Sequence, residues 1–271
     1  MKTDLSKTTM TRLSAANNTF VFLMGENVPQ SDRTRLTQIL CASMHGFQND
    51  GVVFIDPSSK VEFSWDFYNA DGSSAEMCGN AARCAMLYYN EKIDKKSRIS
   101  FETRAGLISV EKIEGTNQVM VQMTKTKFLN PAKDVKILGQ LVRGALIDTG
   151  VPHFVIQAEP DEDIARELRK SNEFGPAGAN ITFIEIAAES DILAVTFERG
   201  VENFTMACGT GAVAAAESYR FLYPKAKSVL VEMPGGQMEV DWSGDDSSPR
   251  LRGAAQIEID FTIYKGLYEK L

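Results

Sequence analysis

Met77-Cys78-Gly79-Asn80-Ala81-Ala82 and Ala207-Cys208-Gly209-Thr210-Gly211-Ala212 are two versions of one segment, 130 residues apart. The same offset relates Phe67 to Phe197, Gly106 to Gly236 and Val110 to Val240, and sets Val52-Val53-Phe54-Ile55 against Thr182-Phe183-Ile184-Glu185. On this alignment no insertion is needed from about residue 50 to about residue 110. A two-copy repeat of this length is too long for a solenoid and predicts two similar domains. They are expected as an N-terminal half over residues 1–129 and a C-terminal half over 130–262. The join falls near Asn130-Pro131-Ala132-Lys133, and residues 263–271 are expected to return to the first half.

Each copy has the same local order. Alternation in Val61-Glu62-Phe63-Ser64-Trp65-Asp66-Phe67 predicts a strand, with Ala194-Val195-Thr196-Phe197 as its counterpart. A glycine-containing loop, the cysteine and a helix follow. Ala82, Ala85, Met86 and Tyr89 recur at helical spacing, as do Ala212, Ala215, Ala216 and Tyr219. Both helices are apolar or small off that face too, and a helix apolar nearly all round is buried. The expected fold is therefore α+β: two pseudo-symmetric domains, each a mixed β-sheet wrapped around a central helix. Ser31 and Asp161 read as N-caps of outer helices over Asp32–Ala42 and Glu162–Lys170. Ser243-Gly244-Asp245-Asp246-Ser247-Ser248-Pro249 reads as a turn between two late strands.

The 271 residues carry a net charge of -7, which disfavours nucleic acid as a partner. No window approaches the roughly 20 apolar residues of a membrane span, and Met1 to Met10 lacks a secretory apolar core. The expected location is the cytoplasm. The cysteines at 41, 78, 84 and 208 form no C-x-x-C pair and there are only 2 histidines, so no metal site is expected. Cys41 and Cys84 read as small buried hydrophobes.

Cys78 and Cys208 differ from these because each stands where a loop meets a helix N-terminus. Unpaired N–H groups and the positive dipole end favour a thiolate there and bind carboxylates. Gly79 and Gly209 let the backbone approach a ligand. A pseudo-two-fold arrangement of the copies would present one sulfur to each face of an α-carbon. One thiolate would remove the proton and the opposite thiol would deliver another. That chemistry needs no cofactor, and no pyridoxal-phosphate lysine.

The run Asn69-Ala70-Asp71-Gly72-Ser73-Ser74-Ala75-Glu76-Met77-Cys78-Gly79-Asn80-Ala81-Ala82-Arg83-Cys84 resembles diaminopimelate epimerase. So do Glu198-Arg199-Gly200 with Ala207-Cys208-Gly209-Thr210-Gly211-Ala212, and Thr149-Gly150-Val151-Pro152-His153, Pro234-Gly235-Gly236 and Thr103-Arg104-Ala105-Gly106. The resemblance implies a cofactor-independent epimerase that converts L,L-diaminopimelate to the meso form, for lysine and peptidoglycan precursor synthesis, and a homodimer. It implies that Cys78 and Cys208 are the acid–base pair. Gly79-Asn80 and Gly209-Thr210 match segments that bind the reacting end's carboxylate. Asn18, Asn69, Asn180, Glu198 and Arg199 match groups that hold substrate, and His153 and Glu198 match residues that tune the thiols. Three positions depart from the pattern. A His-Gly-x-Gly-Asn-Asp-Phe segment is here Ser14-Ala15-Ala16-Asn17-Asn18-Thr19-Phe20, Val151 replaces an asparagine, and Ala81 replaces a glycine. The departures bear on affinity for the distal end of the substrate and leave the cysteine chemistry intact.

Plainer readings exist for several of these residues. Arg199 also suits a surface salt bridge, Asn69 and Asn180 suit backbone capping, and His153 suits a hydrogen-bonded packing role. A racemase or isomerase of another small amino acid would share the scaffold, as would a non-catalytic amino-acid-binding relative. The Glu198-Arg199 pair favours a substrate with a second charged end, and the presence of both cysteines favours catalysis.

Overall fold

The computed structural model describes residues 5–42, 48–243 and 248–263. The chain forms two compact units, Met1–Val121 with Ala254–Leu271, and Gln122–Gly253.

The first unit holds β1 (Met10–Ala15), β2 (Asn18–Met24), α1 (Gln30–Cys41), β3 (Gly51–Asp56), β4 (Phe63–Asn69) and β5 (Ser74–Ala75). The buried helix α2 (Gly79–Lys92) follows, then β6 (Arg98–Thr103), β7 (Gly106–Lys112) and β8 (Gln118–Gln122). The second unit repeats the order: β9 (Lys127–Ile137), β10 (Gln140–Asp148), β11 (Pro152–Gln157), α3 (Glu162–Arg169), β12 (Asn180–Ala188), β13 (Asp191–Glu198) and β14 (Asn203–Thr205). Its central helix α4 (Gly209–Leu222) precedes β15 (Ser228–Met233), β16 (Gly236–Asp241) and β17 (Arg250–Ala254). The chain's last described strand is β18 (Gln256–Phe261).

The pairings repeat with the order. β1–β2, β3–β4, β4–β5 and β6–β7 are antiparallel, while β2–β3 and β4–β6 are parallel. In the second unit β10–β11, β12–β13, β13–β14 and β15–β16 are antiparallel, while β11–β12 and β13–β15 are parallel. The fold is α+β, with a mixed sheet around a central helix in each unit.

The expected domain boundaries shift for a topological reason. Asn130-Pro131-Ala132-Lys133 lies within β9, which pairs with β10, so the division falls earlier. Strand β18 does for β1 what β9 does for β10, pairing antiparallel with it from the far end of the chain. Residues 254–262 therefore belong with the first unit. Ile263 is buried in that unit's core, and residues 264–271 lie outside the described residues, as do 244–247 of the expected late turn.

The outer helices follow their caps. Asp161 caps α3, accepting from the Ile164 N–H at 2.9 Å. At α1 the expected cap does not hold: Pro29 occupies the N-cap and Ser31 lies inside the first turn, its hydroxyl bonded to Asp32.

One part of the repeat is out of step. The helices α2 and α4, and β7 and β16, keep the 130-residue offset. Between β3 and β12, and between β4 and β13, it is one residue less. Val52 faces Tyr68 and Ile181 faces Phe197 across their sheets, and the β13–β14 hairpin holds one residue more than β4–β5. A one-residue slip turns a side chain to the other face. Phe67 stacks edge-on to Phe20 and packs beside Trp65, on the side of the sheet that carries α2. Phe197 lies in the cluster with Ala165 and Leu168 of α3. The structural counterpart of Phe67 is thus Thr196, and that of Val53 is Thr182.

Both faces of each sheet are covered, which is why β3 reads as a continuous apolar run. Val21, Leu23, Val52, Phe54 and Tyr68 pack under Leu36 and Leu40 of α1. On the opposite face Phe22 stacks on Tyr88, and Phe63 on Tyr89, of α2. Residues 80–89 of α2 and 211–217 of α4 are buried without interruption, as expected of central helices.

Candidate active site

Both cysteines are N-cap residues with extended backbone, Cys78 before α2 and Cys208 before α4. The cap places each thiol beside the first-turn N–H groups that the helix leaves unpaired. At Cys208 the contact is direct: Gly211 N–H donates to Sγ at 3.3 Å. Gly211 has no room for a side chain, because a Cβ there would collide with the Thr196 hydroxyl and crowd the Cys208 side chain.

In the second unit the strand pleat delivers the site. Phe154, Ile156, Ile181, Phe183, Val195 and Phe197 point to the α3 side. Their alternates His153, Asn180, Thr182, Thr196 and Glu198 consequently face α4. Cys208 Sγ lies 3.4 Å from the Thr210 hydroxyl, and that hydroxyl lies 3.0 Å from His153 Nε2. Asn180 Nδ2 reaches the same ring nitrogen at 3.2 Å, and His153 Nδ1 lies 3.0 Å from Thr182 Oγ1. Thr182 continues to Thr196 at 3.1 Å. Glu198 accepts from the Thr205 hydroxyl at 2.5 Å and interacts with the Cys208 thiol.

Electrostatics then sets the charge states. Burial raises the Cys208 thiol well above its ordinary range and the Glu198 charge raises it further, against the opposing contacts from Thr210 and Gly211. The helix terminus was expected to favour thiolate; at Cys208 it is outweighed, and the resting form is the thiol. Burial also raises the Glu198 carboxyl. Burial, helped by the charge of Arg199, lowers His153 to about 3, so its ring is neutral.

Cys78, Gly79, Asn80 and Asn18 come together in the first unit. Cys78 is half-buried. Asn80 is buried, and its Nδ2 donates to Asn18 Oδ1. Its Oδ1 accepts from Arg83 Nη2 at 2.7 Å. Arg83 is fully buried on α2, and burial destabilises its guanidinium against the opposing charge that a Cys84 or Cys78 thiolate would supply. Asn69 stands exposed at the end of β4, its Nδ2 bonded to Ser73 Oγ at 3.1 Å, a local turn contact. Cys41 and Cys84 are buried, and burial pushes Cys41 up to about 12.

Arg199 is exposed, and among the described residues no carboxylate pairs with its guanidinium. Its backbone N–H donates to Asn180 Oδ1 at 2.8 Å. The departure at the first turn is accommodated by Ala16 and Asn17, both at positive φ, between β1 and β2. Thr182, Thr196, Thr205 and Arg83 were not singled out from sequence. The signal for the threonines is polar residues at inward places of strands whose outward places are Ile, Phe and Val.

Solved structures share this architecture. A hydroxyproline epimerase from Agrobacterium vitis matches with a TM-score of 0.70 at 15% identity, over 94% of this chain and 92% of that one. A probable proline racemase from Agrobacterium radiobacter matches with a TM-score of 0.72 at 13% identity, over 96% and 93%. The fold is thus one used by amino-acid racemases and epimerases. Residues 13–129 and 145–257 match the diaminopimelate epimerase family model. The chain is 38% identical to the diaminopimelate epimerase of Aquifex aeolicus over 242 residues, 86% of this chain and 85% of that protein. It is 34% identical to that of Methanothrix thermoacetophila over 250 residues, 86% and 88%. The chain belongs to the diaminopimelate epimerase family.

Proposed function

We propose that this protein is a cofactor-independent isomerase that epimerises L,L-diaminopimelate to meso-diaminopimelate, with Cys78 and Cys208 as the acid–base pair. The observation that carries the reading is the repeated one: each copy ends its strand-and-loop segment on a cysteine at the N-cap of its central helix. Inversion at an α-carbon requires one group to take the proton and another to return it from the opposite face. Two thiols of different protonation state supply them, titrating as one coupled unit. Burial and Glu198 support Cys208 as the resting proton donor, with Cys78 as acceptor in that direction.

The α-proton is a very weak acid, and each unit of pKa mismatch costs about 1.4 kcal/mol. Helix N–H groups beside the α-carboxylate offset part of that cost by stabilising the planar carbanion. Gly79-Asn80 and Gly209-Thr210 are assigned to this end of the substrate. Asn18, Asn69, Asn180, Glu198 and Arg199 are assigned to holding it, with Arg199 as a planar fork for the distal carboxylate. Glu198 and His153 are assigned to tuning the thiols.

Among the described residues no helix is long and apolar enough to cross a membrane. A cytoplasmic homodimer serving lysine and peptidoglycan precursor synthesis is the setting we assign. The test is incubation with L,L-diaminopimelate in deuterium oxide. Meso product with deuterium at the inverted α-carbon is expected; unchanged stereochemistry would overturn the assignment.

A further inference from the structure

His153, Thr182 and Thr196 occupy inward places in the second unit that Phe20, Val53 and Phe67 occupy in the first. The correspondence follows from register: Phe20 lies opposite Gly51 as His153 lies opposite Asn180, and Val53 opposite Phe67 as Thr182 lies opposite Thr196. The first unit fills these places with an apolar group. The second fills them with three polar side chains, each 0% exposed. Burying such groups is costly unless each is hydrogen-bonded, so their bonding pattern is constrained.

The pattern has a fixed sense. Arg199 N–H can only donate, so the Asn180 atom it meets at 2.8 Å is the oxygen. The Asn180 amide nitrogen therefore faces His153 Nε2, at 3.2 Å, and it too can only donate. Nε2 must carry its lone pair. In a neutral ring the proton then sits on Nδ1, where it meets Thr182 Oγ1 at 3.0 Å. Thr182, accepting there, passes its own hydroxyl hydrogen to Thr196 at 3.1 Å.

We propose that Thr182 and Thr196 are positioning residues that, together with Asn180, hold His153 in the Nδ1–H tautomer and so keep Nε2 as a permanent acceptor beside Cys208. The link to sulfur is the Thr210 hydroxyl, between His153 Nε2 and Cys208 Sγ. With Cys208 as thiol, its S–H points to Thr210 and the Thr210 hydrogen points to Nε2. With Cys208 as thiolate, the Thr210 hydroxyl turns to the sulfur and Asn180 alone satisfies Nε2. Neither ring nitrogen is left unsatisfied in either state, and no proton leaves the ring. The effect on turnover rests on the epimerase reading; the tautomer does not.

The test is nitrogen-15 NMR of the histidine-labelled full chain, with His45 as the other histidine. A His153→Gln variant assigns the signals. The wild type is expected to show a pyrrole-type Nδ1 and a pyridine-type Nε2 through neutral pH. Thr182→Val removes the acceptor and is expected to populate the Nε2–H form. It should lower kcat for epimerisation by about tenfold or more, with KM within about twofold. Thr182→Ser should restore tautomer and kcat together. A wild-type Nε2–H ring would overturn the proposal without any variant. So would a Thr182→Val protein that keeps the Nδ1–H form, or one that changes tautomer at unchanged kcat. A wild type that shows the Nδ1–H ring but does not epimerise diaminopimelate would count against the epimerase reading alone.

Discussion

Asn180 ties the Arg199 loop to the buried His153 ring: its oxygen takes the Arg199 N–H at 2.8 Å while its nitrogen holds His153 Nε2 at 3.2 Å. One side chain thus anchors both the segment offering the Arg199 guanidinium and the ring behind Cys208. Asn180→Ala removes both bonds, leaving the part-buried Arg199 N–H without its acceptor and His153 Nε2 with the Thr210 hydroxyl alone; a lost bond of this kind costs about 1 kcal/mol. The expected result is a KM for diaminopimelate raised about tenfold together with a lower kcat. Steady-state kinetics decide it, and a change in kcat alone would detach Arg199 from Asn180.

The paired cysteines, the central helices and their order along the chain were legible because they rest on local pattern: a cap, a glycine and helical spacing. The register of the strands was not. Phe67 and Phe197 match as letters, but the face a strand residue takes is set by its cross-strand partner, and Val52–Tyr68 against Ile181–Phe197 shows the slip. The return of β18 to β1 depends on contacts across almost the whole chain, which periodicity does not carry. The charge state of Cys208 needed the burial and the proximity of Glu198, neither visible in the spacing.

Gly211→Ala separates helix propensity from fit. Alanine in a helix gains up to about 1 kcal/mol over glycine. Here its Cβ would meet the Thr196 hydroxyl and the Cys208 side chain, and overpacking costs about 1–3 kcal/mol. Fit wins: a lower Tm and a larger loss of kcat are expected. A more stable, fully active variant would show that the helix start is not tightly packed on β13.

Glu198→Gln tests the second cause of the Cys208 shift. The Glu198 charge raises the thiol, so its removal lowers the pH at which Cys208 ionises; burial, the larger cause, keeps it above the ordinary range. Alkylation of Cys208 followed against pH should move to lower pH in the variant. A move to higher pH would reverse the assigned sign.

His153 gives the protein an acid sensitivity of defined sign. Its folded-state pKa, about 3, lies below the ordinary 6.5. The unfolded chain therefore binds a proton that the native state refuses, and stability falls as pH drops through the interval between those values. From pH 6.5 to 4.5 one such group removes about 2 kcal/mol. Glu198, raised by burial, works in the opposite sense and is common to both proteins compared. Urea unfolding of wild type and His153→Gln should show the extra loss in wild type alone. Parallel pH dependences would mean that His153 takes up its proton in the folded state.

Serine substitutions at the two cysteines are the sharpest test of the two-thiol reading. Serine keeps the N-cap geometry, since its hydroxyl is itself a good cap, so each variant should fold. It lacks a side chain that ionises in the working range. Cys78→Ser and Cys208→Ser should each abolish net epimerisation, a loss of at least about a thousandfold if each thiol contributes what a positioned acid or base typically does. On the two-thiol reading, the remaining thiol keeps access to one face of the α-carbon. Each variant should therefore still exchange the α-proton of one isomer with deuterium oxide, slowly and with retention, and the two should prefer opposite isomers. Mass spectrometry of recovered L,L- and meso-diaminopimelate reads this directly. A single variant that epimerises at the wild-type rate in both directions would remove that cysteine from the chemistry. Two variants that exchange the same isomer would mean that the thiols do not divide the faces between them.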